Sequence, residues 1–442
     1  MAVSPFDSPL WSGLYADPEL GRLFGDSAEI RAMLMVEGAL ARVQGDLGLI
    51  PQDAAKAIQR GALEVAIDPA ALSAGTARAG VPVGALVEAF RKALPDPSVG
   101  AWVHWGTTTQ DIMDTALVLR LRRVLEIMDA RLVTLIAHLA DRAEEHRNTP
   151  MAARTRHQNA TPTTLGAKIA AWGMPLIRHR ARLAELRPRL LVVSLGGASG
   201  TLSAMQGQGQ AVAEGLARAL DLGAPEIPWH STRDGITELA GWAALVTGSL
   251  GKMGADLLEL GATDLAEVSA GAGGGSSTMP HKRNPVGAET LVQLATANAH
   301  AVGAMHSAML HAQERDGAAW GLEWLTLPQM LCAAGRALSV GADLAATMQA
   351  DVAAMRRAFD GHQGVMFAES CTFALSAHMP RTDAAALVMA ACATALRDNR
   401  PLRAVLCDMT DAPVDWAHAF DPLAQAGEAP AFADRFVRAA RA

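Results

Sequence analysis

One run of residues, Gly273-Gly274-Gly275-Ser276-Ser277-Thr278-Met279-Pro280-His281-Lys282-Arg283-Asn284-Pro285, gathers the parts of an anion-handling active site. Three successive glycines let a backbone swing and approach a ligand closely. Behind them come two hydroxyls that can exchange or donate a proton, then an ammonium and a carboxamide that can bind carboxylate oxygens. Pro280 and Pro285 stop a helix or strand from running through the segment. The expectation is a mobile, functional loop. A solvated Gly-rich linker is the plainer alternative, but linkers rarely carry a Met, two prolines and this set of polar groups.

Two further segments place polar groups at expected helix starts, where unpaired backbone N–H groups favour anions. His104-Trp105-Gly106-Thr107-Thr108-Thr109-Gln110-Asp111 is the first. Capping accounts for one Thr or Asp there, and three consecutive Thr with a His and a Gln exceed what a cap needs. Arg154-Thr155-Arg156-His157-Gln158-Asn159-Ala160-Thr161-Pro162 is the second. For any single residue in it, a solvated polar loop is a fair alternative.

Long helices are expected to position these segments. Half of the 442 residues are hydrophobic and only 4% aromatic, a composition that favours helices. Residues 114–146 contain no Gly or Pro, and Leu117, Leu121, Val124, Met128, Leu132, Leu135 and Leu139 recur at steps of three and four. At the helical rise this is a rod on the order of 45–50 Å long. It cannot bury its stripe alone and calls for partners of similar length. Residues 164–186 with a kink at Pro175, 239–260, 285–311 and 323–348 supply them. Toward the amino terminus, Asp26 or Ser27 caps a helix that Gly48 and Pro51 end, and a pair of helices fills 52–94 with a break at 75–82. Residues 190–195 read as a short strand. Shorter helices follow residue 351, with a terminal loop at 413–430. The division expected is an N-terminal helical domain (1–105), a central long-helix bundle carrying the 273–285 loop (106–350), and a small C-terminal helical domain (351–442).

The net charge of −7 is spread over mixed signs, so no basic stripe exists for nucleic acid or an anionic membrane. No signal peptide opens the chain and no apolar run could span a bilayer, so a cytoplasmic location is expected. Cys332, Cys371, Cys392 and Cys407 form no C-x-x-C pair and no H-x-x-x-H occurs, which argues against zinc.

The 276–285 run resembles the signature loop of the fumarase/aspartase superfamily, in which a serine, a Met-Pro and a Lys-x-Asn recur at this spacing. The resemblance implies an all-α, three-section fold. It also implies a homotetramer with active sites where the three polar segments of different subunits meet, a small polycarboxylate substrate, and no metal or organic cofactor. Ser277 would exchange the proton on the carbon α to a carboxylate. Lys282, Asn284, Thr108, Thr109 and Gln110 would hold the enolate-like charge that develops. The first polar segment resembles the superfamily's H-x-G-x-T-S-x-D region and the second its G-R-T-H-x-Q-x-A-x-P region, which brings in Thr155. Here the chain departs from the pattern. Arg156 stands where the proton-donating His belongs, and His157 comes one residue late. Glu289 matches the acidic partner of that missing His, and an Arg156–Glu289 ion pair is the expectation, with Arg156 in solvent as the alternative.

Eliminating hydroxide or an amine demands an acid, whereas a carboxylate, whose conjugate acid has a pKa near ~4, does not. The superfamily branch that fits is the 3-carboxymuconate cycloisomerases of aromatic catabolism, which add a substrate carboxylate across a conjugated double bond to give a γ-lactone. Further segments resemble that branch: Leu186-Arg187-Pro188-Arg189, Trp229-His230 with Arg233-Asp234, and Gln313-Glu314-Arg315 with Trp320 and Glu323-Trp324. An Arg156 facing the pocket would suit a strongly anionic substituent, which makes a 3-sulfo analogue a second substrate to test. Two rivals remain. A fumarate-releasing lyase such as adenylosuccinate lyase shares the 279–285 run, and Arg156 stands against it. A crystallin-like structural homologue would have lost activity, and the intact Ser277, Lys282 and Asn284 stand against that.

Overall fold

The computed structural model describes residues 4–275 and 278–442, which leaves Ser276 and Ser277 outside it. The longest helix, Thr109–Glu145, begins five residues before the start at Asp114 that the apolar stripe suggests. Asp111 explains this, because its carboxylate reaches back to accept the Thr108 N–H at 2.9 Å and so satisfies a donor the first turn leaves orphaned. Leu165–Leu190, Asp234–Leu260, Val286–Ala308 and Gly317–Thr347 are the other long helices. Leu165–Leu190 runs through Pro175 without a break.

Contacts divide the chain into two units. The first holds residues through Arg131, His179–Gly248 and Leu294–Ala337. Its core gathers Met33, Leu34, Leu40, Ile58, Phe90, Ile112, Val193 and Leu216. Where the sequence suggested a pair of helices in 52–94, the chain forms three: Gln52–Glu64, Pro69–Ala79 and Val83–Ala93. The extra break is made by Asp68, whose carboxylate accepts the Ala70 N–H at 3.0 Å, and by Pro69, which needs no partner in a first turn. The strand expected at 190–195 reduces to a single bridge between Val192 and Gly223. A side chain replaces a partner strand there, since the Thr115 hydroxyl donates to Ser194 O at 3.0 Å and accepts Ser194 N–H at 2.9 Å.

The second unit holds Leu132–Arg178, Ser249–Gln293 and Leu338–Ala442. Small residues let its helices approach closely: a Cβ on Gly166 would lie 2.7 Å from Ala143 O. Strands Pro150–Thr155 and Gln158–Thr164 pair antiparallel where a polar segment leading into the next helix was expected. Helices Val352–Asp360, Ala368–Leu375, Arg381–Arg397 and Leu402–Met409 close around Phe359, Leu375, Val388 and Leu406. Within 413–430, expected as a loop, lie the short helix Trp416–Ala419 and the start of the final helix Ala429–Arg441. Among the described residues, no helix is long and apolar enough to cross a membrane.

Phe436 of that final helix is fully buried against Gly173, where an added Cβ would fall 2.0 Å from the ring. Gly173→Ala should therefore destabilise the protein by about 1–3 kcal/mol through overpacking. That loss outweighs the helix-propensity gain of about 1 kcal/mol. A urea midpoint at or above the wild-type value would show that the final helix can move aside.

Candidate active site

In the first unit, the segment before Thr109–Glu145 turns sharply, with left-handed backbone at His104 (φ 64) and Gly106 (φ 70). Asp111 anchors it. Its buried carboxylate accepts from Gly196 N (2.7 Å), Gly197 N (3.0 Å), Thr108 N (2.9 Å) and His230 Nε2 (2.7 Å). Gln110, expected among the donors to substrate, is also fully buried. Its amide nitrogen donates to His230 O at 2.8 Å and its oxygen accepts from Arg315 Nε at 3.0 Å. In this chain Gln110 therefore positions Arg315, a residue the sequence offered only by resemblance. Thr108 and Thr109 are half-buried, and among the described residues their hydroxyls have no hydrogen-bond partner. They remain available as donors.

One helical turn beyond Asp111, Asp114 shares the fully buried Arg233 with Glu323. Arg233 donates to Asp114 at 2.7 and 3.1 Å and to Glu323 at 2.8 and 2.6 Å, with its guanidinium 4.8 Å from the centre of the Trp229 ring. Burial pushes the Glu323 carboxyl up, and Arg233 opposes the shift. This triad ties the start of Thr109–Glu145 to Asp234–Leu260 and Gly317–Thr347. No local pattern announces it, since its members lie 119 and 90 residues apart in sequence.

In the second unit, Arg156 and His157 are the two turn residues of the hairpin, between the paired Thr155 and Gln158. Both have positive φ (51 and 62), the geometry of a two-residue hairpin turn and a strained one for non-glycine side chains. Thr155, Arg156 and His157 are all exposed. His157 Nδ1 lies 3.4 Å from Glu259 Oε1. The expected Arg156–Glu289 pair is not formed: among the described residues Arg156 makes no ion pair, and Glu289 is an exposed residue in the first turn of Val286–Ala308. The hairpin tip holds Arg156 in solvent. The neighbouring arginine is the one that pairs. Arg154 meets Glu267 with two bonds of 2.7 Å, their side chains 9% and 2% exposed. Glu267 in turn precedes the short strand Val268–Ser269, which leads toward the glycine run.

Among the described residues, no helix or strand runs through the prolines of the signature segment, as expected. It contains a minimal ladder, Gly274–Gly275 against Arg283–Asn284, which draws its two ends together. A Cβ on Gly274 would lie 2.8 Å from the Val286 side chain, so this end of the loop needs glycine. Lys282 is exposed and Asn284 half-buried opposite Gly274. Ser277 lies outside the described residues. The first polar segment thus belongs to one unit, and the hairpin tip and signature loop belong to the other.

A family model described as a lyase matches residues 15–298. A 3-carboxy-cis,cis-muconate cycloisomerase from Pseudomonas aeruginosa is 40% identical over 436 residues, which covers 96% of this chain and 95% of that protein. The chain belongs to the fumarase/aspartase superfamily of lyases. Among solved structures, the 3-carboxy-cis,cis-muconate lactonizing enzyme from Pseudomonas putida superposes with a TM-score of 0.92 at 38% identity, covering 98% of this chain and 99% of that one. A fumarate lyase from Mesorhizobium sp. BNC1 gives 0.90 at 36% identity, covering 96% and 98%. The all-α fumarase-like fold read from the sequence is therefore the fold of this lyase, and the protein is an enzyme. Within the superfamily pattern its departure is local. The hairpin carries Arg156 at its exposed turn, where the superfamily resemblance led one to expect a His.

Proposed function

We propose that this lyase is a cycloisomerase acting on 3-carboxy-cis,cis-muconate. A carboxylate oxygen of the substrate bonds to a carbon of the conjugated diene. The displaced π pair moves onto the carbon α to another carboxylate, and that carbon takes up a proton. Three carboxylates enter and a lactone with two leaves, so one proton is consumed per turnover. Arg156 carries the proposal. A guanidinium stays protonated in proteins and cannot serve as the acid that an amine or hydroxide leaving group requires, whereas a carboxylate in that role requires none. Ser277 delivers the proton at the α carbon. Lys282 and Asn284, with Thr108 and Thr109, bind the carboxylate on which charge accumulates, and Gln110 acts by holding Arg315. Thr155, Arg156 and His157 contribute to substrate binding. The site is completed in a homotetramer, each subunit lending a different polar segment, in the cytoplasm.

A fumarate-releasing reaction is the second reading, favoured by the likeness to the Mesorhizobium fumarate lyase. Purified protein should abolish the diene ultraviolet absorbance of 3-carboxy-cis,cis-muconate and leave adenylosuccinate unchanged. The reverse outcome replaces the first reading with the second. Arg156→Trp should change kcat/KM selectively for either the 3-carboxy or the 3-sulfo compound. Equal ratios for wild type and variant would remove Arg156 as a reader of the ring substituent.

A further inference from the structure

The helix Asp26–Asp46 buries an apolar face in the first unit, yet two polar residues on that face, Glu37 and Gln44, are 2% and 1% exposed. They are seven positions apart, two turns along one stripe, and they hold two consecutive residues of the first polar segment. Glu37 Oε1 lies 2.6 Å from His104 Nδ1, and Gln44 Nε2 donates to Trp105 O at 2.8 Å. Arg91 adds a third tie, donating to Val103 O at 2.9 Å. An ionised carboxylate in such a place is costly unless a charged donor meets it, and among the described residues His104 is that donor for Glu37. His104 accepts a left-handed backbone to make the bond, and strain of that kind persists where the surroundings over-determine it. With Nδ1 committed, Nε2 has no partner among the described residues, and the side chain stays 19% exposed beside the half-buried Thr107, Thr108 and Thr109.

The geometry points to His104 as a fixed cation that donates from Nε2 to the substrate carboxylate on which charge grows during the reaction, with Glu37 as the positioning residue that keeps it charged. The identity of the substrate rests on the cycloisomerase reading. Three groups face the ring from the elements around it: Glu37, Asp111 and Arg91. Burial opposes the charged imidazole, the Glu37 bond and charge outweigh burial, Asp111 adds to Glu37, and Arg91 subtracts, so the imidazole is held above its ordinary value. Below that raised value it carries its proton, and its contribution is lost as pH rises through it.

The test compares pH profiles of kcat/KM for 3-carboxy-cis,cis-muconate on the full-length enzyme. Glu37→Gln should move the alkaline limb to lower pH by roughly 1 unit or more. His104→Gln should abolish that limb and lower kcat by roughly 10²–10³-fold, the scale for one lost oxyanion donor. Gln44→Leu loosens the same loop without removing a charge, and it should leave the limb in place whatever it does to kcat. A limb unmoved in Glu37→Gln, or persisting in His104→Gln, overturns the proposal. Calorimetric binding of the unreactive propane-1,2,3-tricarboxylate reads the same charge without turnover. Wild-type affinity should weaken from neutral to alkaline pH, earlier in Glu37→Gln and not at all in His104→Gln, and identical pH dependence in all three overturns the proposal. A wild type that binds this way but leaves 3-carboxymuconate intact overturns the cycloisomerase reading alone.

Discussion

Replacing Ser277 with Ala should lower kcat by roughly 10²–10⁴-fold and leave KM close to the wild-type value, the signature of a group that acts on a proton in the transition state. A serine hydroxyl is a poor acid and a poor base at neutral pH. To exchange a proton with carbon it needs backbone donors and a nearby positive charge to lower its pKa. The segment around it can supply both. Its glycines allow close backbone approach, Lys282 follows five positions on, and the Gly274–Gly275 ladder with Arg283–Asn284 keeps the two ends of the loop together. Single-turnover rates separate the chemical step from product release. Exchange of the product's α hydrogen with deuterated water reports on the same step from the reverse direction, and both should fall together in the variant. A Ser277→Ala enzyme that turns over near the wild-type rate would remove Ser277 as the proton-transfer group.

What the sequence made legible follows the range of the interactions involved. The long helices were readable because their apolar stripes repeat locally, and Asp234–Leu260 and Val286–Ala308 lie within a few residues of where periodicity puts them. The break at Asp68-Pro69 is equally local, but the glycine and proline punctuation at 75–82 is more conspicuous. The hairpin was hidden because its turn is Arg156-His157, without the Asn or Gly that usually marks a left-handed two-residue turn. The 190–195 segment forms no full strand, and a buried apolar run satisfied by the Thr115 hydroxyl has the same composition as one satisfied by a partner strand.

At the site, residue types were legible and their partners were not. Thr108, Thr109, Lys282 and Asn284 stand out by kind and spacing. Glu37 and Glu267 do not, because each meets its partner across 67 and 113 residues of chain and sits in an otherwise ordinary helical or loop context. Gln110 shows the limit most directly. A Gln in an anion-binding motif reads as a donor to the ligand, and only the folded chain reveals that its amide is held between His230 O and Arg315 Nε.

The same long-range pairing sets the largest stability effect. Arg233→Met should cost about 3–5 kcal/mol, because it leaves Asp114 and Glu323 as buried carboxylates with no cation between them. The pH dependence of that loss identifies its cause. Burial already holds the Glu323 carboxyl above its ordinary value while Arg233 opposes the shift, so removing the arginine should raise it further. A carboxyl whose pKa is higher folded than unfolded binds its proton more tightly in the folded state, so stability falls as pH rises from the ordinary carboxyl range through the folded value. The variant should therefore recover part of its loss on acidification from neutral toward about pH 5, a range in which ordinary exposed carboxylates still stay mostly ionised. Urea midpoints for wild type and variant at both pH values measure this, and curves that run parallel would mean the loss comes from packing alone. Adding Glu323→Gln to Arg233→Met removes one stranded charge and should restore stability at neutral pH more than at acid pH. Because Asp114 sits one turn into Thr109–Glu145, loosening it also releases the end that carries Thr108 and Thr109, so kcat/KM should fall in Arg233→Met and partly return in the double variant.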